Sequence, residues 1–250
     1  MKPEHPTIAE IPGLRALWKE AFSDSDAFLD SFFCTAFSPE RCLRIARGNE
    51  IICAAYWIPA RLEEGNAAYI YALATAKVHR GKGLAHRLCH AIHEELKEQG
   101  YLAAILVPGE PSLGKFYEEM GYRFFGGLGQ ISAIAKQPVV NLRRVGGAEY
   151  ALLRRKFLPE GSVIQEGVGM DFLADYAKLY AGEDFLLAAW QEEDTLSGLE
   201  FLGNREKIPH ILQALGAKQG SFRCSGAERF AMWLPFAPCK EPTYFGLAFD

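Results

Sequence analysis

Apolar residues near the N-terminus repeat every three or four positions, which predicts two helices. These residues are Ile11, Leu14, Leu17, Trp18 and Phe22 in the first helix, and Phe28, Leu29, Phe32 and Phe33 in the second. Thr7 and Glu10 have the spacing of a capping box, which commonly begins a helix. Asp24 or Ser25 opens the second helix, because both residue types are favoured at the N-cap.

After Ser38-Pro39 the apolar positions follow the shorter period that is typical of β-strands. Gly48-Asn49 and the polar residues 63–66 interrupt this region as turns. The three strands predicted between and beside these turns are 42–47, 51–62 and 67–75. Short turns between consecutive strands predict an antiparallel meander.

A third helix is predicted next, with leucine or isoleucine at every fourth position from Leu84 to Leu96, and Gly100 ends it. A strand at 101–107, a short helix at 113–120 and a strand from 122 come next. The order ααβββαβαβ predicts an α/β (α+β) fold. Its sheet is mixed and mostly antiparallel, is flanked by helices and contains one parallel pair across the helix.

Composition excludes several classes of protein. The net charge of −4 argues against a general nucleic-acid binder, which needs basic surface. No apolar run approaches the ~20 residues of a membrane span, so we expect a soluble, cytoplasmic protein. The cysteines form no Cys-x-x-Cys pair, so we predict neither a metal site nor a disulfide framework. They are Cys34, Cys42, Cys53, Cys89, Cys224 and Cys239.

The segment Arg80-Gly81-Lys82-Gly83-Leu84-Ala85 lies between a predicted strand and a predicted helix. In such a turn, backbone N–H groups converge at the positive end of the helix and glycine admits an anion closely. The segment therefore predicts a phosphate cradle. It contains neither the G-x-x-x-x-G-K-[ST] of a P-loop nor the G-x-G-x-x-G of a dinucleotide fold.

This segment matches the pattern [RQ]-x-x-G-x-[GA], and the later helix contains Phe116-Tyr117 followed by Gly121. Together the two motifs resemble the GNAT acetyltransferase superfamily, over roughly residues 7 to 130. The resemblance implies that acetyl-CoA lies where the strand ending near Thr75 diverges from the one ending near Val107.

The resemblance also implies individual roles. Backbone groups of one strand bind the pantetheine arm, and amides of the loop and the following helix bind the pyrophosphate. Tyr117 protonates the departing CoA thiolate after direct attack by an amine. The cofactor-binding residues implied are Leu73, Ala74, Thr75, Arg80, Gly81, Lys82, Gly83, Leu84, Ala85 and His86.

Some positions leave the catalytic assignment open. Many family members have an asparagine where this chain has Glu110, which we interpret as a solvated loop residue. The general base is unassigned among Glu63, Glu64, Glu110, acids of the N-terminal helices and a water chain. A terminal strand at 244–249 would offer the C-terminal carboxylate of Asp250 as a further alternative, but we favour a frayed or merely packed tail.

Three histidines lie on the helix after the loop, four and three positions apart. His86, His90 and His93 fall opposite the leucine and isoleucine stripe. We interpret them as a solvated face rather than as metal ligands.

The second half repeats the element order of the first faintly. Strands are predicted at 185–190 and 196–202, a helix at 205–215 and a strand at 221–224, and Gly203-Asn204-Arg205 replaces the long glycine loop. We predict two domains. Residues 1–135 form a GNAT-like acyl-CoA-binding catalytic domain, and 136–250 form a smaller α+β domain, a degenerate second copy without cofactor.

These features lead to a functional hypothesis. The chain is an N-acetyltransferase that uses acetyl-CoA, without a metal, to acetylate a primary amine on a small molecule or peptide. It acts as a monomer or homodimer, with no nucleic-acid or membrane partner. The alternative is an inactive CoA-binding regulatory or interaction module. The intact loop disfavours a purely structural dimerisation protein.

Overall fold

The predicted capping residues Thr7 and Ser25 lie at the start of the two N-terminal helical segments, and a 3₁₀ turn (Ile8–Glu10) separates Thr7 from the first α-helix. The backbone N–H of Thr7 donates to Glu10 Oε2 at 2.9 Å, before helix α1 (Ile11–Phe22). Helix α2 (Asp26–Thr35) starts after Ser25, whose Oγ accepts the N–H of Phe28 at 3.2 Å. These caps satisfy N–H groups that would otherwise have no partner at the helix ends.

The computed structural model describes residues 1–249, which fall into two units. The first unit contains Met1–Arg123 and then Trp233–Cys239, so the chain returns to it after leaving. The second unit contains Phe124–Met232 and the residues from Lys240 onward. The chain first passes from one unit to the other after Arg123. The boundary of the catalytic domain at 135/136 stays a prediction.

Residues 1–125 have the element order that the sequence predicts. After α1 and α2 come β1 (Cys42–Arg47), β2 (Glu50–Arg61), β3 (Asn66–Thr75), α3 (Leu84–Glu98), β4 (Ala103–Leu106), α4 (Gly114–Glu118) and β5 (Arg123–Phe125). β1, β2 and β3 pair antiparallel, and β3 pairs parallel with β4 across α3. The predicted mixed, mostly antiparallel sheet is therefore confirmed.

The remaining elements complete two sheets. They are β6 (Leu128–Ile134), β7 (Arg143–Arg144), α5 (Gly147–Phe157), β8 (Ile164–Gln165), α6 (Val168–Tyr176), β9 (Lys178–Ala181), β10 (Phe185–Glu192), β11 (Thr195–Gly203), α7 (Ile208–Leu215), β12 (Gln219–Ser225) and β13 (Ala231–Pro235). One sheet has the order β1-β2-β3-β4-β13-β5, and the other has the order β6-β12-β11-β10-β9-β7. The segment Trp233–Cys239 begins within β13.

The second unit repeats the topology of the first. β9, β10 and β11 pair antiparallel, and β11 pairs parallel with β12 across α7. Helices α5 and α6 precede these strands, as α1 and α2 precede β1. This repetition supports the predicted duplication, which stays a prediction because topology alone does not establish common origin.

The C-terminal segment differs from the prediction. Residues 244–249 are buried but form no strand, because their backbone makes isolated contacts rather than a ladder. One such contact is the N–H of Val163, which donates to Tyr244 O at 2.9 Å. Asp250 lies outside the described residues. None of the helices between residues 1 and 249 is long and apolar enough to cross a bilayer.

Helix α3 packs on the first sheet with the predicted apolar stripe. Leu84, Leu88, Ile92 and Leu96 are each at most 5% exposed. Burying one such side chain contributes ~1.5–3 kcal/mol, so this stripe fixes the helix, and with it the loop before the helix.

His93 does not lie on a solvated face, so that interpretation was wrong for this residue. His86 and His90 are exposed, whereas His93 is 7% exposed and its Nε2 is 2.8 Å from the hydroxyl of Tyr122. One turn of helix separates His93 from buried Cys89, which extends the buried arc beyond the leucine stripe. Burial lowers the pKa of His93 to about 4, and the charge of Lys97 acts in the same direction.

The buried His93 makes stability dependent on pH. The unfolded chain protonates His93 below about pH 6.5 and the folded chain only near pH 4, so stability falls as the pH drops through this window. We expect a loss of about 2 kcal/mol at pH 5. His93→Gln, which keeps a hydrogen-bonding group for Tyr122, should flatten this dependence in urea unfolding at pH 7.5 and 5. The control is His90→Gln, on the exposed face of the same helix; equal pH dependence in both variants would contradict the assignment.

Candidate functional site

Strands β3 and β4 diverge part of the way along the sheet. They pair only at Ala67–Ala103, Ala68–Ala104 and Tyr69–Ile105. β3 then continues to Thr75, still paired with β2 on its other side. In the described part of the chain, no strand pairs with the β4-facing edge of residues 70–75. Leu73, Ala74 and Thr75 therefore lie where an extended ligand can add backbone hydrogen bonds.

A β-bulge bends β3 within this open stretch. Ala72 has a φ of 50°, a left-handed conformation that is unusual for a residue with a side chain. The register with β2 shifts here, between Ala54 and Tyr56. Such conformations cost on the order of 1–3 kcal/mol and concentrate at functional sites. Sequence reasoning missed this feature, because no glycine or asparagine marks it.

The glycine loop presents backbone N–H groups at the start of α3. Gly81 and Gly83 have φ of 70° and 72°, which side chains rarely adopt. No heavy atom lies within 4 Å of the position that a Cβ would take at either residue, so the space above the loop is open. No side chain caps the helix at Gly83. The first-turn N–H groups, from Leu84 to His86, are therefore available to an anion.

The loop also contributes positive charge. Arg80 Nε donates to Thr75 O at 3.1 Å, and Lys82 Nζ donates to Val78 O at 2.9 Å. These bonds hold both side chains beside the loop and the end of β3. Neither cation forms an ion pair with a carboxylate in residues 1–249. The predicted residues from 73 to 86 are thus brought together around one open, electropositive site.

The corresponding helix of the second unit has no such opening. Asn204 Oδ1 accepts the N–H of Glu206 at 3.1 Å and so fills the cap position. Pro209 in the first turn of α7 has no N–H to offer. The second loop is therefore unsuited to phosphate.

Tyr117 projects from the short helix α4 and is 8% exposed. Its ring packs against Phe116 and Tyr122, with centroid distances of 5.1 and 5.8 Å. Burial raises the pKa of Tyr117, and the nearby Cys89 thiol acts in the same direction. The phenol therefore stays protonated at neutral pH and can act as a proton donor.

Cysteines connect Tyr117 with the end of β3. The pKa of Cys89 is raised mainly by burial and further by Cys53. Cys53 Sγ is 3.3 Å from the hydroxyl of Thr75. Cys89 is therefore near both Cys53, beside the end of β3, and Tyr117.

The candidate bases are less well placed. Glu110 is exposed and accepts the hydroxyl of Ser112 at 3.2 Å, as a solvated loop residue would. Glu63 and Glu64 are exposed in the turn before β3. The general base stays unassigned. In residues 1–249, no group of three His, Cys, Asp or Glu side chains is arranged to hold a metal ion.

Comparison with known protein families gives a match over the part of the chain that contains the candidate site. Residues 3–125 match the family model described as "Acetyltransferase (GNAT) domain", so the chain contains a domain of the GNAT family. That domain includes β3, the glycine loop and Tyr117. No curated protein sequence matches the chain.

Similar solved structures extend the likeness to the second unit. The chain is 15% identical to a GCN5-related N-acetyltransferase from Anabaena variabilis, with a TM-score of 0.72 over 93% of this chain and 72% of that chain. It is 16% identical to a GCN5-related N-acetyltransferase from Kribbella flavida, with a TM-score of 0.69 over 93% of this chain and 70% of that chain. At these identities the likeness concerns the fold.

Proposed function

We propose that the first unit transfers an acetyl group from acetyl-CoA to a primary amine of a small molecule or peptide. The observation that carries the proposal is the open edge of β3 leading directly into the uncapped glycine loop. An extended pantetheine arm fits beside a strand edge. A pyrophosphate fits the helix N-terminus four residues beyond Arg80, and its charge complements Arg80 and Lys82.

The proposed binding mode assigns the predicted residues to two parts of the cofactor. Backbone groups of Leu73, Ala74 and Thr75 pair with the pantetheine amides. The N–H groups from Gly81 to His86 bind the pyrophosphate, with Arg80 and Lys82 nearby. Because Arg80 already donates to Thr75 O, it also holds the loop against the end of the strand.

The proposed reaction requires positioning and proton transfer rather than a protein nucleophile. The amine nitrogen attacks the thioester carbonyl carbon, and a backbone N–H near the bulge at Ala72 stabilises the developing oxyanion. The C–S bond then breaks. The thiolate takes a proton from Tyr117, and the ammonium nitrogen loses a proton to a base that reaches it through water. The products are the amide and CoA.

Six unpaired thiols support a reducing, cytoplasmic location for this enzyme. Cys42, Cys53 and Cys89 are buried near the sheet of the first unit. Burial raises the pKa of each of these thiols, so they are protonated and unreactive at neutral pH.

Calorimetric titration with acetyl-CoA tests the proposal. We expect saturable binding and a raised unfolding temperature. An amine panel followed by release of free CoA thiol then tests catalysis. No binding at millimolar ligand would overturn cofactor use altogether. Binding without thiol release for any amine would instead support an inactive CoA-binding module.

Tyr117→Phe tests the proton donor. We expect turnover to fall by about 100-fold, the typical effect of losing a general acid, while the Kd for acetyl-CoA stays within about twofold because the ring remains. Tyr122→Phe is the matched control, since its hydroxyl is already bonded to His93. Equal turnover in Tyr117→Phe and wild type would remove Tyr117 from the mechanism.

A further inference from the structure

The second unit contains an open surface pocket that the proposed acetyl transfer does not use. Its volume is about 400 Å³, within the range of about 300–1,000 Å³ that is typical of small-molecule pockets. It lies between segment 139–144 and the last turn of α7. The lining includes Val140, Leu142, Arg144, Tyr180, Gln213 and Leu215. We call it the Arg144 pocket.

The floor of the Arg144 pocket is apolar and fixed. Val140, Leu142 and Leu215 pack on the core cluster of the second unit and are only partly buried by it. The core beneath them includes fully buried Phe185 and Ile211. Because a close-packed core holds these side chains in place, the exposed apolar surface is present before any ligand arrives.

A cation and a phenol form one wall. Arg144 and Tyr180 are directly opposite each other in the antiparallel pair of β7 and β9, so their side chains lie on the same face. Burial raises the pKa of Tyr180, and the charge of Arg144 opposes that shift, which indicates that the guanidinium and the phenol are close. The ring of Tyr180 belongs to the core, so its position is fixed.

Arg144 has no carboxylate partner in residues 1–249, unlike its neighbour. Arg143 points to the other face of β7 and binds Glu149 at 2.6 Å. The pocket therefore combines an unpaired positive charge, a phenol hydroxyl and an apolar floor. An inorganic anion would use only the first two of these, and a neutral hydrocarbon only the third.

We propose that the Arg144 pocket binds a small carboxylic acid with an apolar body. The carboxylate pairs with the guanidinium of Arg144 and accepts the hydroxyl of Tyr180, a combination that charge-assisted hydrogen bonds favour. The hydrocarbon part lies on Val140, Leu142 and Leu215, and Gln213 is a further lining residue. The pocket is independent of the acetyl-CoA site and does not rest on acetyl transfer.

The test is a calorimetric titration of the full chain with a panel of apolar carboxylates, including 3-phenylpropionate and branched short-chain acids. We expect at least one acid to bind saturably. Its uncharged amide should bind about tenfold more weakly, because the charged hydrogen bonds are lost. Inorganic phosphate, which cannot use the apolar floor, should not compete at equal concentration.

Two arginine variants locate the binding. Arg144→Gln should weaken the acid by about tenfold, whereas Arg143→Gln, one residue away on the other face, should leave the affinity unchanged. Protection of the amides of β10 and β11 from hydrogen exchange in both variants shows that the second unit is folded. The proposal is overturned if no acid saturates at millimolar concentration, if acid and amide bind equally, or if the two variants behave alike.

Discussion

Replacing Gly83 by aspartate is expected to weaken acetyl-CoA binding by about 100-fold or more while the fold is retained. The new carboxylate would stand among the N–H groups proposed for the pyrophosphate, and like charges in a partly desolvated site repel by several kcal/mol. The side chain fits, because nothing lies within 4 Å of the position of a Cβ at Gly83. Aspartate also tolerates the left-handed conformation better than most residues, and its charge is favourable at a helix N-terminus.

Gly100→Asp provides the matched control at the other end of α3. Gly100 has a φ of 78° and equally open space, so the backbone strain and the added charge are the same. There the charge meets the helix C-terminus, which should lower stability by ~0.3–1 kcal/mol without changing the affinity. Calorimetric Kd values and unfolding temperatures distinguish the two effects. Wild-type affinity in Gly83→Asp would mean that this loop does not hold the pyrophosphate.

Local signals explain why the sequence predicts the first unit well. Thr7, Ser25 and Gly48 punctuate helices and a hairpin through short-range hydrogen bonds and backbone preferences. The glycine loop is equally local, since strand, loop and helix are contiguous in the chain. The Arg80–Thr75 bond is also local, although its geometry required the structure.

Tertiary contacts determine the features that the sequence did not indicate. The left-handed conformation of Ala72 coincides with the register shift against β2, and alanine itself carries no signal for it. Burial of His93 depends on Tyr122, well beyond the helix. Residues Trp233–Cys239 belong to the first unit although they are far from it in the sequence, and hydrophobic periodicity cannot predict such long-range contacts.

Helix α5 was missed because part of its buried face is charged. Arg154, which reads as a solvent-facing residue, is 1% exposed. Its partner Glu200 lies on β11, 46 residues later, and is 0% exposed. Sequence periodicity assigns charged residues to the surface, so a helix that buries one loses its apolar pattern.

The roles proposed for Tyr117 and the loop stay predictions until binding and turnover are measured.

The same ion pair should be the most sensitive position in the second unit. Arg154 Nε donates to Glu200 Oε2 at 2.7 Å and Nη2 donates to Oε1 at 2.8 Å. Tyr244 adds a third donor to Oε1 at 3.2 Å. Glu200→Gln leaves a buried guanidinium without its counterion, and Arg154 Nη1 already has no partner among the described residues. We expect a loss of about 3–5 kcal/mol.

Hydrogen exchange of amides in β10 and β11 measures this loss in the second unit alone. Removing both charges, as in Arg154→Met with Glu200→Leu, should restore most of the stability, because neither desolvated charge then remains. The control is Arg143→Gln, which breaks an exposed pair with Glu149 and should cost at most about 1 kcal/mol. If Glu200→Gln costs no more than Arg143→Gln, the charge of Glu200 does not stabilise the second unit.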